Sequence, residues 1–487
     1  MNISKSLYCN YVQCPKMIWL LKNKKEEYVE TKKDSIMENG NEVGDLARKY
    51  FGNYSLVKFN EVLINMIMDT KKLIKQNKSV ICEASFKFDN LFASIDILKI
   101  DEDGMSIYEV KSSTEVKDIY IDDASFQSYI LRKLGYKVKS VNIMHLNGNY
   151  ELDKELDLKK LFNIVDITNL SISKEKEIEE NVKEINEILN DETEPNIDLD
   201  IHCFKPYDCP FFKYCSKHLP INNVFKIRNM TVNKKIKLYK EGKVSFNDLI
   251  KEDLNEKYLE QIDFEINNKE PKINKDKIKE FLNTLKKPIY FLDFETFQDA
   301  VPRYQKQRVY SQVPFQYSLH YYDENNNLKH KEFLSEDNVD PRKEVAINLV
   351  KDIPTNVDVL AYNMSFEKSV IKNLARIYPE LSDKLMKIHD NIKDLMIPFY
   401  NRDYYVKEMD GSYSIKYVLP ALFKGDESLD YHNLELVHNG SEAMETFKKL
   451  SDMDTIAKEK VRKALLKYCE LDTYAMVKIY EKLISLS

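Results

Sequence analysis

The 487-residue chain predicts an α/β fold in two mixed domains joined by a helical connector. Three observations carry that prediction. Runs rich in β-branched residues, SIDILKI (94–100), SIYEVKSS (106–113) and VKSVNIMHL (138–146), are flanked by segments of helical period. A second alternation begins after Lys286, where FLDFET (291–296) and VDVLAYN (357–363) read as strands interleaved with helices. Between the two, residues 223–285 are rich in Lys, Asn and Glu, and KIKLYKEGKVSFNDLI (235–250) reads as a helix, a glycine turn and a second helix. The expected organisation is therefore 1–222, 223–285 and 286–487. The length is sufficient for two or three domains with full-sized cores.

The remaining elements follow from local pattern. KEKEIEENVKEINEILN (174–190) sets apolar residues at helical spacing among charges, which suits an amphipathic helix facing solvent. SFEKSVIKNLARIY (365–378) begins a helix where the strand VDVLAYN ends, and KALLKYCELDTYAMVKIYEKL (463–483) reads as a long final helix. Charged residues make up 32% of the chain and hydrophobic ones 43%, an ordinary soluble composition. The net charge of −6 argues against wholesale electrostatic wrapping of nucleic acid while leaving room for local Lys-rich grooves. MIWLL (17–21) is too short to span a membrane and runs into KNKKEE rather than a small-residue cleavage site, so a cytoplasmic protein without membrane attachment is expected. Seven cysteines, an odd number, suggest thiols or metal ligands rather than a disulfide framework.

FLDFET places Asp293 and Glu295 one residue apart in an apolar strand, so both carboxylates face one small volume. Burying unpaired charge is expensive, and the two acids repel unless a cation lies between them. Glu367 falls in the first turns of a helix, and Tyr468 and Asp472, four apart, share a face of the final helix. Four carboxylates of this kind can hold two Mg²⁺ or Mn²⁺ ions roughly 3.5–4 Å apart, which stabilise both the attacking and the leaving oxygen of a cleaved phosphodiester.

The three motifs, in order, resemble the DnaQ-like 3′–5′ exonucleases with a DEDD metal site, a ribonuclease-H-like mixed-sheet fold. DFET is similar to the first motif, YNMSFE (362–367) to the second and YCELD (468–472), a Y-x-x-x-D, to the third, while SIKYVLPAL (414–422) resembles the stretch between the second and third. The resemblance implies Asp293, Glu295, Glu367 and Asp472 as metal ligands and Tyr468 as the residue that orients or helps activate water. The second motif usually ends in Asp, and Glu367 carries an extra methylene there.

The N-terminal segment carries a second constellation. Asp96 lies in SIDIL, and Glu109 and Lys111 alternate with apolar residues in YEVKSS on one strand face. An Asp, a Glu and a Lys converging on one site suit metal-dependent hydrolysis, with the acids binding metal and the amine positioning water or phosphate. The set resembles the PD-(D/E)xK nucleases, restriction-endonuclease-like in fold, and among them the RecB-like exonucleases, with Gln127 in DDASFQSYIL similar to the glutamine of their helical motif. That motif usually has an aromatic residue four positions on, where Leu131 stands with Tyr129 nearer, and many relatives carry a metal-binding His where GNEVG (40–44) has Gly44. Glu83 is a further candidate.

HCFKPYDCPFFKYC (202–215) spaces Cys203, Cys209 and Cys215 evenly, and Cys14 in QCPK supplies a fourth thiol, with Cys9 a weaker candidate. Four thiolates can bind a [4Fe–4S] cluster or a Zn²⁺ ion, and spacing does not choose between them. One early and three late cysteines resemble the iron–sulfur RecB-like nucleases, AddB and the CRISPR-associated exonucleases included, where the cluster ties the ends of the domain together. Cys82 and Cys469 are expected to be ordinary buried thiols, and the histidines, His202 among them, to be structural. The reading is a metal-dependent nuclease that acts exonucleolytically on DNA or RNA at two separate sites. The alternative is a nucleic-acid-binding scaffold with one or both sites degenerate.

Overall fold

The computed structural model describes residues 2–30 and 34–486, and it is mixed α/β throughout. Two compact units divide the chain: Met1–Leu219 with Asp299–Tyr310, and Pro220–Gln298 with Ser311–Ser487. Among the described residues no helix is long and apolar enough to cross a membrane.

The first unit is built on strands β1 (Ile3–Ser4), β2 (Ser55–Leu56), β3 (Val80–Phe88), β4 (Leu91–Asp101), β5 (Gly104–Lys111), β6 (Val138–Leu146) and β7 (Phe162–Asp166). Its sheet runs β2-β3-β4-β5-β6-β7, and β1 pairs with the start of β4. Strands β3, β4 and β5 form an antiparallel meander, whereas β5 and β6 are parallel. Gly104 makes the β4–β5 turn at φ +138, and a Cβ there would meet the Lys137 carbonyl at 2.5 Å. Helices α1 (Lys5–Gln13), α2 (Pro15–Asn23), α3 (Asp34–Arg48), α4 (Leu63–Lys75) and α5 (Asp118–Lys133) belong to this unit, as does the amphipathic helix Glu175–Asn190. Ser4 caps α1 by accepting the Leu7 N–H, and Pro15 opens α2 at its first position. The residue before a proline is disfavoured from helix, so Cys14 is extended at the break between α1 and α2. The main core joins Ile95, Ile107, Phe126, Ile130 and Ile143 between the sheet and α5.

The second unit contains β8 (Lys272–Ile273), β9 (Ile289–Gln298), β10 (Gln312–Tyr322), β11 (Leu328–Leu334), β12 (Asp358–Ala361), β13 (Ile392–Asp394) and β14 (Tyr404–Tyr405). Five of these form a mixed sheet in the order β11-β10-β9-β12-β13, antiparallel on the β10 side of β9 and parallel on the β12 side; β14 pairs with β8. Strand period sorts β9 between two cores. Tyr290, Leu292 and Phe294 face the core of Val345, Leu349, Ile371 and Leu374. Ile289 and Phe291 face the core of Leu471, Ala475 and Ile479 from the final helix, Thr455–Leu486. Asp293 and Glu295 have the parity of Phe291 and so point to the final-helix side.

Segment 223–285 is part of this second unit. It contains the expected helix Val232–Lys240, a left-handed Gly242 and the short helix Phe246–Leu249, followed by Glu256–Asn267 and Lys275–Asn283. It has its own small core of Val224, Ile227, Phe246 and Ile262, and the Arg228 guanidinium donates to Asp410 at 2.8 Å and to the Tyr417 oxygen at 2.6 Å.

Candidate functional site

In the second unit the structure brings together all of the acids expected from the three motifs. A β-bulge lies at Pro314/Gln316 opposite Glu295, the kind of irregularity that re-aims side chains beside a site. Asp293 and Glu295 each offer an oxygen, and Cys469 its sulfur, within 4.8 Å of one another. The Cys469 Sγ is 4.0 Å from Asp293 Oδ2. This places Cys469 in the acid cluster and corrects its reading as an ordinary core thiol; its position beside Tyr468 and three before Asp472 was the available signal. The Tyr431 hydroxyl donates to Asp472 Oδ1 at 2.6 Å, and Tyr468 also hydrogen-bonds Asp472.

Glu367 is the third residue of the helix Ser365–Ile377 and is 2% exposed, and its Oε2 is buried without a hydrogen-bond partner. The chain reaches that helix through Asn363, which takes the left-handed region at φ +70. The Asp394 carboxylate fixes this turn by accepting the N–H groups of Asn363 at 3.0 Å, Met364 at 3.2 Å and Met396 at 2.9 Å. No motif pointed to Asp394.

The electrostatics of the cluster are one-sided. Burial, then the charges of Asp472, Glu295 and Glu367, hold the Asp293 carboxyl well above the usual range. Burial and Asp472 do the same to Glu295, with Lys416 acting weakly against them. Burial pushes Glu367 up to about 8, helped by Asp394. Asp472 rises to about 6, because burial outweighs the two tyrosine hydroxyls and Lys416. Tyr468 itself is raised by burial and by the surrounding carboxylates, so its phenol keeps its proton. Lys416 belongs to the stretch SIKYVLPAL, in the helix Ile415–Leu422. A cavity of about 560 Å³ opens beside Tyr468 and Asp472, lined by Lys416, Pro420, Lys424, Tyr431 and His438 among others. Gly440 starts the helix Gly440–Lys448, and a Cβ on it would stand 3.5 Å from Glu295 Oε2.

In the first unit Asp96, Glu109, Lys111 and Gln127 also converge. Ile107, Glu109 and Lys111 share one face of β5 beneath α5, on which Asp123 and Gln127 lie one turn apart. Lys111 Nζ donates to Glu109 Oε1 and Asp123 Oδ2, both at 2.7 Å. Gln127 Nε2 donates to Glu109 Oε2 at 2.6 Å and Asp123 Oδ1 at 3.0 Å. Asp96 accepts the Val110 N–H at 2.8 Å. Two members were not foreseen: Asp123, signalled only by its spacing from Gln127, and Lys5, for which the sequence offered no signal. Glu83 is paired with Arg48 at 2.9 Å and lines a cavity of about 560 Å³ together with Asp96, Lys111, Asp45 and Gly44. Nothing lies within 4 Å of a Cβ built on Gly44. Leu131 and Tyr129 are buried in the α5 core.

Burial and repulsion from Glu109 raise Asp96 to about 7. Glu109 is held below its usual range, because Lys111 and Lys5 together outweigh its burial. Neighbouring carboxylates likewise outweigh burial at Lys111 and Lys5, and both ammoniums are held above the ordinary lysine range.

Cys14, Cys203, Cys209 and Cys215 line one small cavity of about 10 Å³, and no cysteine of the chain is in a disulfide. Gln13 ties the two ends of the motif by donating to the carbonyls of His202 at 2.9 Å and Tyr207 at 2.8 Å. Burial pushes Cys203 up to about 12 and Cys209 to about 11, with the neighbouring cysteines adding to the shift. Cys14 and Cys215 are raised for the same first reason. Cys9 instead lies near Asp123 and Lys111, and Cys82 is in the core beside Val80 and Ile97.

A family model described as Domain of unknown function (DUF2779) matches residues 290–414. The matched span includes Asp293, Glu295 and Glu367 and ends before Tyr468 and Asp472. No curated protein matches the chain.

Proposed function

We propose that this protein is a metal-dependent nuclease, hydrolysing phosphodiester bonds of DNA or RNA from an end, and that its second unit is DnaQ-like. The observation that carries the reading is the acid cluster of Asp293, Glu295, Glu367 and Asp472, whose carboxyls are all raised by burial and on which, among the described residues, a single lysine, Lys416, acts. A fold does not collect four buried acids without counter-charge for stability's sake, since each loses solvation and repels the others. The orphaned Glu367 Oε2 and the four carboxylates, beside which Cys469 lies as a protonated thiol, fit hard divalent cations. These four residues would hold Mg²⁺ or Mn²⁺, which supplies charge stabilisation at the attacking and leaving oxygens. Tyr431 and Tyr468 orient Asp472 through their hydroxyls, and Asp394 positions the turn that presents Glu367. The adjoining cavity is within the size range of ligand sites and gives a strand end room beside the acids.

The first unit, with Asp96, Glu109, Lys111 and Gln127 gathered under α5, supports a RecB-like PD-(D/E)xK reading. Its four gathered cysteines fit a thiolate-bound group, either a [4Fe–4S] cluster or Zn²⁺, held between the α1–α2 break and the late loop. The thiols are neutral when unliganded, so loading that group releases protons. Digestion of end-labelled single- and double-stranded DNA and RNA with Mg²⁺ or Mn²⁺ tests the reading. Shortening from one end that is lost in Asp293→Ala is expected. Binding without any cleavage would leave a nucleic-acid scaffold.

A further inference from the structure

The two acid clusters differ in what already neutralises them. Lys5, the first residue of α1, places its Nζ 3.1 and 3.3 Å from the two oxygens of Glu109 and 3.5 Å from Asp96 Oδ1. Each Glu109 oxygen therefore has two donors: Lys5 and Lys111 on Oε1, Lys5 and Gln127 on Oε2. The Glu109 side chain is 2% exposed and Lys5 26%, so this pairing is largely shielded from water. Among the described residues, three acids, Asp96, Glu109 and Asp123, face two ammoniums, whereas the four acids of the second cluster have Lys416 acting on them. A divalent ion bridging Asp96 and Glu109 would require oxygens at about 2.0–2.6 Å, in the space that the Lys5 ammonium holds.

We propose that the Lys5 ammonium is the resident counter-ion of the Asp96–Glu109 pair, and that a divalent cation reaches these two carboxylates only when Lys5 is displaced. The ligand set implied by the RecB-like resemblance thus does not fit a metal while Lys5 stands where it does. The inference rests on reading Asp96, Glu109 and Lys111 as a hydrolytic-type cluster. Lys5 sits one residue after the short strand β1, which is held to β4 through Ile3↔Leu91 and Ser4↔Phe92, so the ammonium is set in place by backbone pairing next to it. A site whose competent form is populated in about 1–10% of molecules binds its ligand about 10- to 100-fold more weakly than the opened form.

The test measures ion binding, so that failure of the nuclease reading and failure of this inference are separate results. The full chain carrying Asp293→Ala and Glu367→Gln, which removes ion binding in the second unit, is titrated with Mn²⁺ by electron paramagnetic resonance. In that background Lys5→Met keeps the aliphatic stem and removes the charge. It should create one Mn²⁺ site per chain that Asp96→Asn abolishes, about 10- to 100-fold tighter than any Asp96-dependent binding with Lys5 intact. Equal Asp96-dependent affinity with and without Lys5 would overturn the proposal. A second measurement needs no change at Lys5: tight Asp96-dependent Mn²⁺ uptake by the Lys5-containing chain overturns it, and absence of such uptake at millimolar Mn²⁺ supports it.

Discussion

Glu367→Gln should reverse the order of stability of two metal-free proteins between acid and alkaline pH. Burial, with Asp394 adding, raises the Glu367 carboxyl from its ordinary 4.5 to about 8, and its Oε2 has no partner. At about 1.4 kcal/mol per pKa unit, the ionised side chain destabilises the metal-free fold by about 5 kcal/mol above pH 8 and by about 3 kcal/mol at pH 7. Because the folded state binds this proton more tightly than the unfolded chain, stability is highest below pH 4.5 and declines as pH rises toward 8. Glutamine carries no such dependence, but its buried amide lacks partners and costs about 1–3 kcal/mol at every pH. In chelator, the variant should be less stable than the parent near pH 5 and more stable, by about 2–4 kcal/mol, near pH 8.5. Urea denaturation at the two pH values measures the difference, and added Mn²⁺ should restore the parent's advantage at the higher pH. The same order of stability at both pH values would refute the reasoning that an uncompensated charge sits at Glu367.

Lys111→Ala strips the shared ammonium from Glu109 and Asp123, so urea denaturation should show a loss of about 3–5 kcal/mol, while cleavage that depends on Asp293 persists in an end-labelled assay. Tyr431→Phe removes a hydroxyl that lowers Asp472, whose carboxyl then titrates above about 6, so the pH below which Mn²⁺ binding fails should move upward in a calorimetric titration. Gly440→Leu projects side chain toward Glu295 and the Tyr468 hydroxyl, 3.5 and 4.0 Å from the first added carbon, and should abolish cleavage while leaving the circular dichroism spectrum unchanged. Anaerobically purified protein should be brown with about four irons per chain, all lost in Cys203→Ser; a colourless protein with stoichiometric zinc would show that the four thiols hold zinc instead.

The strands and helices that carry the sites were legible because their signals are local. Alternation placed Glu109 and Lys111 on one face of β5, and Asp293 and Glu295 on one face of β9, as a period of two requires. Tyr468 and Asp472 met through helical spacing. Cys469 was misread because burial alone describes a core thiol; only the packing of the final helix over β9 sets its sulfur beside Asp293.

Sequence by itself determined which residue types are available and which of them share a face, since side-chain direction within a strand or helix depends on backbone period alone. Tertiary structure decided the charge balance of each cluster. Lys5 lies 91 residues from Asp96 and 104 from Glu109, and Tyr431 lies 41 from Asp472, so no local pattern could pair them. Coulomb and desolvation energies depend on distance and burial across the fold, and these alone leave one group of acids hydrogen-bonded to lysines and hold the carboxyls of the other above their usual range.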